Sequence, residues 1–373
     1  MAAEPWLPLR GVRVVDFSMF VPGPFATAIF ADLGAEVIKV EPPRGDPGRS
    51  YVPVQFNTGN RNKRSLALDL KSSPSRDVVE KLVKKADIVI EGFRPGVARR
   101  LGIDYEKLRT HNPEIIYCSI SGYGQSGPWR ERPGHDVNYV AAAGGLAFPG
   151  QWLKPPARSS YPVADMGGGA FAAIAVLAAL HEGKSAYLDL SLFEAAFFMA
   201  AMRHSLDPDV DPRAHLFPVN DVFETADGRR LTLGILEEHF WQNLVGIVPE
   251  LAEERFASDQ KRRANGDALS KLLQNIFLSR TAEDWIRLLE ENDVPFDLCL
   301  KPGEAAQLEH LQLRQAVERG YAKFPVWANG TRGGRIRSGP PRLGEHSREI
   351  LVELGFEDSQ IADLMRSGAV EAE

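Results

Sequence analysis

The chain has 373 residues, 44% of them apolar and 25% charged, with a formal net charge of −6. That length fills one large core or two of ordinary size. The acidic balance, without a zinc knuckle, a polybasic tail or a basic run interleaved with aromatics, argues against nucleic acid as a partner. No stretch approaches the roughly 20 consecutive apolar residues of a membrane span, and Met1 to Pro8 is not built like a signal peptide, so a cytoplasmic protein is expected.

From Gly11, short β-branched runs alternate with helical stretches. Val12 to Phe17, Glu36 to Glu41, Ser65 to Leu70, Asp87 to Phe93 and Ile115 to Ser121 read as strands, with amphipathic segments such as Ser75 to Lys85 between them. This is the pattern of an α/β fold with a mostly parallel, helix-covered sheet. Two Ala/Gly-rich helices follow, near Val137 to Ala147 and Met166 to His181, and the second is apolar on nearly every face, which predicts burial. The polar, proline-containing stretch from Arg203 to Pro218 reads as a change of domain.

A hairpin, Asp221 to Thr225 and Arg230 to Leu236 turned by Asp227-Gly228, then opens a smaller α+β domain. The expected division is a large Rossmann-like domain over 1–205, a linker over 206–218, the small domain over 219–310 and a return segment over 311–373. Cys118 and Cys299 fit no metal or redox spacing and read as buried thiols, and no metal site is expected.

Neither a dinucleotide Gly-x-Gly-x-x-Gly nor a phosphate-loop sequence follows any strand. Six other segments are candidates for chemistry. Pro22-Gly23-Pro24-Phe25 suits a tight turn at the carboxyl end of the first strand, the ligand side of such a sheet. The stretch Arg44 to Arg64, with Arg49, Arg61, Lys63 and Arg64, and Lys39 before it, is locally basic and suits phosphates or a solvated face. Arg94, Arg99 and Arg100 follow the fourth strand. In Gly134-His135-Asp136-Val137-Asn138-Tyr139 the imidazole would face a helix start, where backbone N–H groups favour negative charge. Asp165 precedes Gly167-Gly168-Gly169, where a ligand can approach the backbone or the aspartate simply caps a helix. Glu237 leaves a hydrophobic strand of the small domain.

Taken together with Asp32-Leu33-Gly34-Ala35-Glu36-Val37-Ile38-Lys39-Val40-Glu41, Asn62-Lys63-Arg64-Ser65, Arg94-Pro95-Gly96 and Gly122-Tyr123-Gly124-Gln125-Ser126-Gly127-Pro128, these segments resemble the family III CoA-transferases of the CaiB/BaiF type. That group includes α-methylacyl-CoA racemases and formyl-CoA transferase, and the similarity runs from about Leu9 to about Leu313. The resemblance implies an acyl-CoA substrate, no permanently bound cofactor, and a homodimer of interlocked chains. It places CoA on Lys39, Arg61, Asn62, Lys63, Arg94, Arg100, Gly134 and Tyr139. In the racemase branch, His135 and Asp165 are the alternating acid and base, Glu237 pairs with His135, and a backbone N–H of Asp136 meets the enolate oxygen. In the transferase branch, Asp165 is a nucleophile that forms an aspartyl-CoA thioester. Phe217 to Gly234 holds no glycine cluster of the kind that covers the site in formyl-CoA transferase, which favours the racemase reading. Phe20, Phe25, Trp152, Tyr161, Phe197 and Phe198 are candidates for an acyl pocket or plain core.

Overall fold

Six short strands build a parallel sheet in the computed structural model, which describes residues 4–372. They are β1 (Arg13–Asp16), β2 (Glu36–Glu41), β3 (Arg64–Leu68), β4 (Ile88–Glu91), β5 (Ile116–Ser121) and β6 (Ala186–Ser191). The spatial order is 3-2-1-4-5-6, and a C-terminal strand, Val370–Glu371, adds antiparallel to β3. This is the order of doubly wound nucleotide-binding sheets, whose crevice opens between β1 and β4 at the carboxyl ends of the strands. Nearly every residue of β1 to β5 is buried, as a sheet covered by helices requires.

Five of the helices bear on the sheet and its crevice: α1 (Pro22–Asp32), α2 (Ser75–Lys84), α3 (Asp136–Ala142), α4 (Val163–Glu182) and α5 (Leu192–Arg203). Proline at the start of α1 gives up an N–H that has no intrahelical partner there. The amphipathic α2 lays Val78, Val79, Leu82 and Val83 onto the sheet core with Leu66 and Val89. Helix α4 is long and apolar enough to cross a membrane by length and composition. It is instead keyed into its neighbours by glycine: a Cβ on Gly169 would lie 2.5 Å from the carbonyl oxygen of Pro22, and one on Gly168 or Gly167 would strike Leu192 or Met199. The glycine run therefore serves helix packing, which corrects its reading as a ligand approach. The all-round burial expected of α4 is also not met. Ile174 is 61% exposed, with Phe197 and Phe198 of α5 45% and 58% exposed.

The chain divides into two compact units, the first running to Ala143, over Ser159–Met199 and from Leu308 onward, the second over Gly144–Arg158 and Ala200–Gln307. The stretch 206–218 thus belongs to the second unit rather than linking two domains, and Gly144–Arg158 leaves the large domain to which its position in the chain assigns it. Trp152 explains the excursion. Its backbone N–H donates to Asp221 at 2.7 Å and its indole to Asp267 at 2.8 Å, so it is anchored in the second unit. That unit carries an antiparallel sheet of β7 (Val222–Glu224), β8 (Arg230–Leu233) and β9 (Phe296–Leu298) over a core of Phe223, Trp241, Phe277 and Trp285. Cys118 is buried, and burial pushes its thiol up to about 12; Cys299 is exposed, against expectation.

The basic stretch turns inward. Asp16, at the end of β1, is fully buried and takes hydrogen bonds from Lys63 at 3.0 Å, from the Thr27 hydroxyl at 2.6 Å and from the Ser18 hydroxyl. Burial works to raise its pKa, but Lys63, Lys39 and the two hydroxyls outweigh it and hold the carboxyl at about 2. Lys39 is also fully buried, with Asp46 at 2.9 Å and the Ser18 carbonyl oxygen at 2.9 Å. Arg61 and Asn62 both bind Asp32, and Asn62 also donates to the carbonyl oxygen of Arg335 at 2.8 Å. Arg49 pairs with Glu41, and Arg64 with Glu36, Glu349 and Glu353. The polar atoms of Lys39, Arg61, Asn62 and Lys63, where CoA is expected, are engaged by buried protein partners: Lys63 reaches Asp16 at the end of β1, Lys39 reaches Asp46, and Arg61 and Asn62 hold Asp32 at the end of α1.

Substituting Lys63→Met removes the cation that hydrogen-bonds the buried Asp16 and leaves only the electrostatic pull of Lys39, so urea unfolding should show a loss of about 3 kcal/mol.

Candidate active site

A cleft of about 900 Å³ opens at the switch point of the sheet. Its wall is made by the segment after β1 (Met19 to Gly23), the loop after β4 (Gly92 to Pro95) and the end of β5 (Ile120 to Gly122). His135, Gly134, Asn138 and Tyr139 enter from the start of α3, and Asp165 from the first turn of α4. His135 and Asp165, 30 positions apart in sequence, thus share one cavity with Arg94.

Asp136 brings the two helix starts together. Its buried carboxylate accepts from the backbone N–H of Ala164 at 2.7 Å and of Asp165 at 3.3 Å. The first turn of a helix offers N–H groups without intrahelical partners, so a carboxylate from α3 satisfies α4 as a cap would. Asn138 in turn accepts from the backbone N–H of His135 at 3.0 Å. The backbone N–H of Asp136 belongs to the unsatisfied first turn of α3.

Tyr139 is buried beside Tyr123, and its hydroxyl donates to the Gly134 carbonyl oxygen at 2.6 Å. Burial first, then the Asp165 carboxylate and Tyr123, push it up to about 12, with Arg94 opposing. A Cβ on Gly122 would stand 2.5 Å from the Tyr139 hydroxyl and one on Gly134 2.7 Å from its ring, so both glycines exist to admit this ring.

Arg130 and Arg132 line the same cleft as Arg94. Arg100, with Arg99, lines a neighbouring hollow of about 550 Å³ that shares Pro95 and Arg130 with the cleft. Both new arginines lie in Trp129-Arg130-Glu131-Arg132, an alternation that from sequence alone is a solvated loop. Both side chains are exposed, Arg130 pairing with Glu131 at 3.1 Å and Arg132 lying over the Trp129 ring at 4.9 Å. Phe20 lines the cleft, whereas Trp152 belongs to the second unit. Glu237 is exposed in the second unit, immediately before the helix Glu238–Ile247. Among the described residues, no cluster of three or more His, Cys, Asp or Glu suits a metal ion.

Glu91 underpins the loop after β4. Its carboxyl accepts from the backbone N–H of Phe93 at 2.7 Å and from the Ser119 hydroxyl. Burial pushes Glu91 up to about 7 against those two hydrogen bonds, with Asp189 adding to the rise. The folded value lies above the ordinary 4.5, so the folded chain binds this proton more tightly. The associated stability is complete below pH 4.5 and is lost as pH rises through about 7. Chemical unfolding from pH 4.5 to 8 should show a decline on the order of 2–3 kcal/mol, and Glu91→Gln should flatten that slope.

Residues 9–347 match the profile of CoA-transferase family III. The chain is 32% identical to an acetyl-CoA:oxalate CoA-transferase of Acetobacter aceti, covering 96% of this chain and 98% of that protein. It is 30% identical to an alpha-methylacyl-CoA racemase of Mus musculus, with 98% of each covered. A crystal structure of a CAIB/BAIF family protein from Brucella suis superposes with a TM-score of 0.83 at 28% identity, covering 94% of this chain and all of that one.

Proposed function

The chain belongs to CoA-transferase family III, and from that premise we propose that it is an α-methylacyl-CoA racemase, moving a proton between the two faces of the α-carbon through an enolate. The observation that carries this is the shared cleft of His135 and Asp165 at the carboxyl ends of the strands, rimmed by Arg94, Arg130 and Arg132.

A racemase needs a base on each face of the carbon. His135 takes the α-proton from one face, the C–H electron pair becomes the enolate π bond, and Asp165 returns a proton to the other face. Negative charge then grows on the thioester oxygen. The backbone N–H of Asp136 is its donor, and losing such a donor typically costs on the order of 3 kcal/mol. The CoA phosphates are assigned to Arg94, Arg100, Arg130 and Arg132. The exposed apolar face of Ile174, Phe197 and Phe198 supports a second copy of the chain as its cover, in keeping with an interlocked homodimer.

Transfer of CoA between carboxylic acids through Asp165 is the competing reading, favoured by the similarity to an acetyl-CoA:oxalate CoA-transferase. One experiment separates them. A racemase incorporates deuterium at the α-carbon of a 2-methylacyl-CoA in D₂O, loses this in His135→Ala, and leaves Asp165 unmodified by hydroxylamine during turnover. Recovery of an Asp165 hydroxamate without α-deuteration gives the transferase.

A further inference from the structure

Five buried side-chain atoms among the described residues have no hydrogen-bond partner: Nε of Arg64, Arg262 and Arg332, and the hydroxyls of Ser121 and Tyr123. Each of the three arginines bonds through other nitrogens. The Tyr123 ring packs against Trp129, Tyr139 and Phe193. Of the five residues, only Ser121 lines the cleft.

Ser121 is the last residue of β5, at the carboxyl edge of the sheet, and is 6% exposed. Its serine neighbours are satisfied. The Ser119 hydroxyl donates to Glu91 and accepts from Gln125 at 2.7 Å, while Ser191, opposite on β6, accepts from the backbone N–H of Glu194 at 3.2 Å. A buried hydroxyl left unmade carries a desolvation penalty that folding does not recover. A polar atom from a ligand in the cleft would recover it.

We propose that the Ser121 hydroxyl donates a hydrogen bond to the carbonyl oxygen of the bound acyl thioester, as a second donor beside the backbone N–H of Asp136. The proposal rests on the acyl-CoA reading above. Ser121 keeps its proton throughout: the α-proton leaves with the base, the C–H electron pair becomes the enolate π bond, the carbonyl π pair moves onto the thioester carbonyl oxygen, and the hydroxyl hydrogen bond strengthens as that charge grows. A donor of this kind acts more on the transition state than on the bound substrate.

The test compares the full-length enzyme with Ser121→Ala and Ser121→Thr. Without ligand, Ser121→Ala should melt at the wild-type temperature or above it, because the hydroxyl removed has no partner to lose. Its turnover, by α-deuteration or CoA transfer according to which the wild type catalyses, should fall on the order of 100-fold, with KM changed less than about threefold. Ser121→Thr should restore most of that loss. By calorimetry, the preference of the wild type for acetyl-CoA over CoA should shrink about fivefold in Ser121→Ala. Unchanged turnover in Ser121→Ala, or a lowered melting temperature without ligand, overturns the proposal. Should the wild type bind acetyl-CoA but catalyse neither reaction, the proposed function falls, and the binding comparison alone decides on Ser121: an unchanged preference rejects it.

Discussion

The structure around the cleft depends on one buried carboxylate. Oδ1 of Asp136 holds the amides of Ala164 and Asp165 across a gap of 28 and 29 residues. Between those points the chain runs through Gly144–Arg158, which packs with the second unit. The two helices also pack on one another, and the Asp136 carboxylate adds a polar tie between the turn bearing His135 and the turn bearing Asp165. With it, the two turns are referred to one another by one short hydrogen bond, at 2.7 Å, and one long one, at 3.3 Å. Buried in this way, Asp136 cannot trade its partners for water, so the geometry is held by the cost of breaking it.

Charge is sorted by burial. In an acidic chain, the conspicuous cations Lys39, Arg61, Lys63 and Arg64 are neutralised by Asp46, Asp32, Asp16 and several glutamates, which locks the neighbouring strands. Among the exposed arginines, Arg94, Arg99, Arg100, Arg130 and Arg132 lie on the segments after β4 and β5, lining the cleft and the hollow beside it. The guanidiniums at the carboxyl edge of the sheet thus stay at the surface, while the interior ion pairs hold the segments behind that edge.

Much of this is legible in the residues. Four of the five strands from Val12 to Ser121 carry β-branched residues and the fifth, Ser65 to Leu70, alternates leucine with smaller residues, as a buried parallel sheet allows, and His135 and Asp165 stand out by their neighbours. Strand β6 is hard to read because Ala186–Ser191 is only half buried and follows an apolar helix. The two-residue C-terminal strand has no pattern to read. Burial itself is what the sequence hides. Lysine next to arginine reads the same whether it faces phosphate or Asp16, Gly167-Gly168-Gly169 reads the same whether a ligand or a helix approaches, and Ser121 becomes conspicuous only once its hydroxyl is found alone in the cleft wall.

The most direct test of this account is a double-mutant cycle on α-proton exchange with Asp136→Ala, Asp165→Ala and the pair. If the Asp136 carboxylate acts by placing Asp165, removing it costs nothing further once Asp165 is gone, so the double variant should match Asp165→Ala alone. Fully additive losses would show that the two side chains act independently and would contradict the arrangement described.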